Sequence, residues 1–113
     1  MNADARTGAP PAGEDLELAD LVEYSDGSVV SRTLMSGKAG TLTAFAFDAG
    51  EGLSEHSAPY DAFVQVLDGS GVFTIAERPH ELKAGQGILM PASIPHAVRA
   101  GTRMKMMLTM FRG

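Results

Sequence analysis

Ala62-Phe63-Val64-Gln65-Val66-Leu67-Asp68-Gly69-Ser70-Gly71-Val72-Phe73-Thr74-Ile75 is the stretch that decides the fold class. Its two ends are short runs rich in β-branched and aromatic side chains, the residues that suit a pleated, half-buried surface. Neighbours in a strand point to opposite faces, so Ala62, Val64 and Val66 form one set and Phe63, Gln65 and Leu67 the other. Asp68-Gly69 between the runs tolerates the positive φ of a two-residue turn, and predicts a hairpin.

The same pattern continues outward in both directions. Apolar or alternating runs at 29–35, 41–47, 87–90, 96–100 and 104–111 join 62–67 and 71–75. They are separated by Ser36-Gly37, Asp48-Ala49-Gly50, Glu77-Arg78-Pro79, Ala84-Gly85, residues 91–95 and Gly101. Seven short strands with turn signals between them, and no long helical period, predict an all-β sandwich or barrel. Leu16, Leu18, Leu21 and Val22 stand at mixed spacing, which fits either a short helical turn or an edge strand. Residues 1–15 carry little to bury and are expected to be a disordered tail, which leaves 16–113 as a single domain.

Composition narrows the classes of function. A chain of 113 residues, 44% hydrophobic, is one domain long and can bury a core. Its net charge of −5 argues against a surface that neutralises phosphates, so neither nucleic acid nor membrane is an expected partner. The absence of Cys excludes disulfides and thiolate ligands, leaving imidazole, carboxylate, carbonyl or water to hold any metal. No apolar run approaches the ~18 residues of a membrane span, and the polar start lacks the apolar region of a signal peptide. The expected location is cytoplasmic.

The segment Gly50-Glu51-Gly52-Leu53-Ser54-Glu55-His56-Ser57-Ala58-Pro59-Tyr60-Asp61-Ala62, running on to Gly69, resembles the first motif of the cupin superfamily, G-x5-H-x-H-x3–4-E-x6-G. Gly50, His56 and Gly69 fall on its first glycine, first histidine and last glycine. Gly85-Gln86-Gly87-Ile88-Leu89-Met90-Pro91-Ala92-Ser93-Ile94-Pro95-His96 resembles the second, G-x5-P-x-G-x2-H-x3-N, with Gly85, Pro91 and His96 in place. The resemblance covers roughly 29–111 and implies a cupin-type jelly-roll β-barrel in which inward residues from separate strands converge.

It also implies a metal site, from which this sequence departs. The motif's second histidine is Ala58 here and its glutamate is Ala62, while Ser93 replaces a glycine and Ala100 an asparagine. Two of four implied ligands, His56 and His96, are present. They imply a weakly held divalent ion, Zn, Ni, Mn or Fe, or a small molecule, in a pocket formed by His56, Ala58, Ala62, Val64, Met90, His96 and Met106. Glu55, Asp61, Gln65 and His80 are the nearest substitutes; parity turns Asp61 and Gln65 outward, and His80 reads as a solvated turn residue. A metal-dependent enzyme of unidentified substrate is one reading and a metal-independent small-molecule binding or sensing module another; the pair also reads as hydrogen-bonded fold residues. Ser57 beside His56 is no nucleophile and base, because adjacent strand residues face opposite ways.

Parity places Met104, Met106, Leu108 and Met110 of the last run on the core face and Lys105, Met107, Thr109 and Phe111 on the other. Together with Phe63 and Leu67, the outward Met107 and Phe111 predict a homodimer through the outer face of one sheet. The alternative is that the segment around Leu16, Leu18 and Leu21 folds back over that face.

Overall fold

The computed structural model describes residues 8–112. Nine strands follow one another: β1 Val29–Gly37, β2 Gly40–Phe47, β3 Gly52–His56, β4 Asp61–Asp68, β5 Ser70–Ile75, β6 Arg78–Lys83, β7 Gly87–Met90, β8 His96–Ala100 and β9 Met104–Phe111. They form two antiparallel sheets, ordered β1-β2-β9-β4-β7 and β3-β8-β5-β6. Successive strands mostly change sheet, so the chain wraps around a shared interior and the result is a jelly-roll barrel. Among the described residues no helix is long and apolar enough to cross a membrane.

The seven expected runs are all strands, and two more join them. β3 and β6 are the edges of the four-stranded sheet; β3 is mostly exposed and polar, and β6 carries Pro79, which an edge strand tolerates because one side makes no ladder bonds. The hairpin expected at Asp68-Gly69 is corrected: β4 pairs with β7 and β9, β5 with β6 and β8, so Gly69 is the corner where the chain leaves one sheet for the other. Glycine is needed there, since φ is +72° and a Cβ would strike the carbonyl oxygen of Arg103. The tight hairpin lies one strand later, at Ala76-Glu77, both with positive φ in a two-residue turn between Ile75 and Arg78.

Alternation divides the apolar side chains as expected. Phe47, Ala62, Val64, Val66, Phe73, Met90, Val98, Ala100, Met104 and Met106 fill the space between the sheets. A second cluster lies on the outer face of the five-stranded sheet, where Leu21 and Val22 pack with Leu34, Ala44, Ala46 and Met107, flanked by Leu67. The N-terminal segment therefore does fold back, as a short 3-10 turn over Leu18–Asp20 and not as a strand. Lys105 Nζ donates to the Ala19 carbonyl at 2.6 Å, the Arg32 guanidinium to those of Gly8 (2.7 Å) and Leu21 (2.9 Å), and the Tyr24 hydroxyl to Asp68 at 2.6 Å. Arg103 and Lys105 both stack on the Tyr24 ring. Of the expected tail, residues 1–7 lie outside the described residues; 8–15 form no strand or helix.

Candidate functional site

A backbone irregularity sets the geometry. β3 pairs with β8 through Leu53↔Val98 and then His56↔His96, so Ser54 and Glu55 together oppose Ala97. That is a β-bulge, and it reverses parity. Leu53 points into the barrel; uninterrupted alternation would send Glu55 in after it and His56 out. The bulge instead brings His56, itself still exposed, to the cavity wall and leaves Glu55 out of it. His96 enters from the start of β8, just after Pro95, on the inward register shared with Val98 and Ala100.

The two imidazoles meet edge to face, with centroids 4.4 Å apart and planes at 71°. Their Nε2 atoms are 3.2 Å apart. Each ring is oriented in the same way from its other nitrogen: His56 Nδ1 lies 2.8 Å from the Ser54 carbonyl oxygen and His96 Nδ1 3.1 Å from that of Ile94. A carbonyl only accepts, so both Nδ1 atoms carry the hydrogen and, in neutral rings, both Nε2 atoms present lone pairs. His96 is buried, and burial holds its pKa below the usual histidine value; the Ile94 carbonyl opposes that shift and the neighbouring His56 adds to it.

Around the pair lies a cavity of about 40 Å³, lined by Leu53, Ala58, Tyr60, Ala62, Met90, Val98, Met106, Leu108 and Met110 as well as the two histidines. Of the residues expected to form the pocket, His56, Ala58, Ala62, Met90, His96 and Met106 come together here. Val64 does not: it is wholly buried within the core cluster and is absent from the cavity wall. Leu53, Tyr60, Val98, Leu108 and Met110 were missed. Inward parity on β9 was the signal for Leu108 and Met110, whereas Tyr60 sits in an irregular connection with no periodicity to read.

Two imidazole nitrogens bound ~2.1 Å from one tetrahedral or octahedral ion sit about 3.0–3.4 Å apart, and the observed pair falls in that range. Ligating histidines also commonly donate their other ring N–H to a carbonyl, as both do here. The residues present thus fit a cation by two ligands. Among the described residues no group of three His, Asp or Glu side chains is placed to hold a metal. Asp61 faces outward and accepts from the Ala92 N–H at 2.8 Å, and Gln65 is exposed. His80 is a half-buried strand residue opposite Phe73, not a turn residue, and it does not reach the cavity.

Ser93 shows what one motif departure does to the backbone. It holds φ +66° at the motif's glycine position, a conformation that costs an L-residue roughly 1–2 kcal/mol. Its N–H donates to the Ala58 carbonyl at 2.6 Å, tying the loop before β8 to the connection after β3.

The family described as cupin domain matches residues 44–111. No curated protein matches the chain. Among solved structures, a conserved protein of unknown function from Streptococcus pyogenes is 32% identical over 99% of this chain and 98% of its own, with a TM-score of 0.91. A cupin 2 conserved barrel domain protein from Leptotrichia buccalis is 38% identical over 86% of this chain and 47% of its own, TM-score 0.81. A cupin superfamily protein from Desulfitobacterium hafniense is 27% identical over 94% and 97%, TM-score 0.88.

Proposed function

The chain belongs to the cupin family, and from that premise we propose that it binds a divalent metal ion between His56 and His96, with a small molecule completing the coordination inside the barrel. The observation that carries the reading is the pair of Nε2 atoms 3.2 Å apart, each on a ring whose Nδ1–H is already donated to a carbonyl. Two lone-pair-bearing nitrogens this close repel unless a cation, or a proton shared between the rings, lies between them, and one ion satisfies both. Imidazole donors without a carboxylate suit zinc or nickel better than manganese, and the two-histidine, one-carboxylate set of non-haem iron is incomplete here. Bound there, the ion would supply Lewis-acid polarisation with open positions for a ligand. The chain's own residues orient the rings, through Ser54 and Ile94, and keep the surroundings apolar, through Leu53, Val98, Met106 and Leu108.

Calorimetric titration of metal-free protein with Zn²⁺ and Ni²⁺ tests this. The expected result is one saturable site per chain, lost in His56→Ala and in His96→Ala. Absence of saturable uptake overturns it, and a melting-temperature rise with a metabolite in the absence of metal would support the metal-free binding module instead.

A second copy of the chain is the other partner we propose. Of the outward apolar residues read from parity, Leu67 and Met107 are covered by the N-terminal segment, while Phe63 and Phe111 remain bare. Register lines up Met35, Leu42, Thr109, Phe63 and Leu89 as one row across all five strands. Met35, Phe63, Leu89 and Phe111 are 56%, 45%, 54% and 60% exposed. Burying each remaining half contributes on the order of 1 kcal/mol, counted twice across a two-fold axis, enough to offset a good part of the entropy lost on association. Light scattering is expected to give a dimer mass that Phe63→Lys reduces to a monomer; a monomeric wild type overturns the proposal.

A further inference from the structure

The outer face of the five-stranded sheet is half bare and half covered. Resting on the reading of that face as the meeting surface of two copies, we infer that residues 8–27 are a cover that opens as a unit and, while closed, holds self-association in check. Met35, Phe63 and Leu89 stand exposed on the bare half. Ala44, Met107 and Gln65 form the next outward row, beside Leu42, Thr109 and Phe63. Leu21 and Val22 lie over this second half, packed with Leu34, Ala44, Ala46 and Met107. Lifting the cover joins that cluster to the bare row as one apolar patch.

Among the described residues, side chains alone fasten the cover: no backbone-to-backbone hydrogen bond joins 8–27 to the strands, and only Leu21 and Val22 of the segment are buried. The other ties come from Arg32, Lys105 and Tyr24, with an ion pair between Arg103 and Asp26. Lys105 is 7% exposed, so closure strips water from an ammonium group and returns one carbonyl bond and the face of the Tyr24 ring, 4.8 Å away. Opening gives that water back. β9 beneath it is bonded to β2 on one side and β4 on the other along its length. A segment with two apolar anchors opens far more readily than a doubly paired strand.

Charge explains why the closed cover opposes a second copy. Residues 14–26 hold six of the chain's fourteen acidic residues and no basic one, which leaves eight acids against nine bases elsewhere. The cover therefore carries the whole net negative charge, and all six carboxylates are exposed. Two copies meeting over this half about a two-fold axis would set like charge against like. Closed, the cover hides the apolar cluster and repels its own copy; open, it does neither.

Methionine oxidation by dilute peroxide, followed residue by residue in fragment mass spectra, tests the opening, because the thioethers report three environments. Met35 is 56% exposed, Met107 lies under the cover at 6%, and Met104 is wholly buried in the barrel core. In the wild type, Met107 is expected to oxidise more slowly than Met35 and at least about tenfold faster than Met104, the ratio that 1.4 kcal/mol produces. Leu21→Ala is expected to speed Met107 by about tenfold or more, to leave Met104 unchanged, and to lower by a similar factor the concentration at which light scattering shows association. Met107 as slow as Met104 in both proteins means that cover and barrel open only together, which overturns the inference. Met107 accelerated in Leu21→Ala with association unchanged overturns the check on assembly. A wild type that stays monomeric while Leu21→Ala associates removes the dimer through the bare row and leaves the cover standing. If Leu21→Ala exposes Met104 as well, Val22→Ala carries the same comparison, and equal rates at Met107 and Met104 there overturn the cover.

Discussion

The barrel interior has two ends built from the same strands, and they differ in what their side chains leave over. At one end Phe47, Phe73 and Met104 are wholly buried and meet Val66 and Ala100 in a solid core. At the other, β4 contributes Ala62 where it contributes Val66 further along, and a cavity opens against the histidine pair. Both ends share the alternation of inward and outward residues along β4, β8 and β9. What distinguishes them is side-chain volume and the bulge in β3, which puts an imidazole where regular pairing would have put Glu55. The closed end supplies stability, and the open end is free to vary its chemistry.

The sharpest contrast is expected from truncation. Phe73→Ala at the closed end should cost about 3–5 kcal/mol of unfolding free energy, the range for losing a buried aromatic ring. His96→Ala at the open end removes a hydrogen bond to the Ile94 carbonyl and should cost only about 0.5–1.5 kcal/mol. Urea denaturation of the two variants measures both. Equal losses would erase the distinction and make the histidines packing residues.

Enlargement probes the same difference from the opposite side. Ala100→Leu, inserted into the packed end, should cost about 1–3 kcal/mol, because a full core has nowhere to put added methyl groups. Ala62→Leu grows into the cavity and should cost less than about 1 kcal/mol while abolishing zinc binding. A large cost at both positions would mean that the open end is not open.

How much of this could be read from the residues alone follows from where local pattern and tertiary pairing agree. β4, β5, β8 and β9 were legible because apolar residues recur at every second position. β3 and β6 were not, since Gly52-Leu53-Ser54-Glu55-His56 and Arg78-Pro79-His80-Glu81-Leu82-Lys83 are largely polar edge strands without that signature. Asp68-Gly69 was legible as a tight turn but not as a corner between sheets, because turn chemistry specifies backbone dihedrals and not which strands pair. The Ala76-Glu77 turn escaped because neither residue favours positive φ. At the site, His56 and His96 were found by spacing to the paired motifs; the bulge that makes them face each other has no residue signature.

Backbone strain at the rim gives a smaller effect. Ser93→Gly should raise stability by about 0.5–1 kcal/mol, relief of positive φ outweighing the added flexibility of the unfolded chain, with no matching gain available at the closed end. A loss of stability would show that the Ser93 side chain contributes more than its backbone costs.

Acidity supplies the smallest effect, and it too separates the ends. Because burial lowers the His96 pKa in the folded chain, the unfolded chain takes up a proton that the folded one refuses. The contribution is therefore fully present above the unfolded value of 6.5 and is lost as pH falls through the lower folded value. Denaturation midpoints of wild type and His96→Ala should converge as the pH is lowered through that range; parallel curves would contradict a neutral His96.

On the proposed reading both Nε2 atoms serve one ion while both Nδ1 atoms keep their hydrogens. Two-bond ¹H–¹⁵N correlation spectra of histidine-labelled protein, recorded before and after one equivalent of Zn²⁺, distinguish these nitrogens. His56 and His96 are both expected to begin with protonated Nδ1, and zinc to shift both Nε2 resonances together while each Nδ1 remains an N–H. Metal-induced shifts at Nδ1, at one ring alone, or at neither would overturn the shared ion.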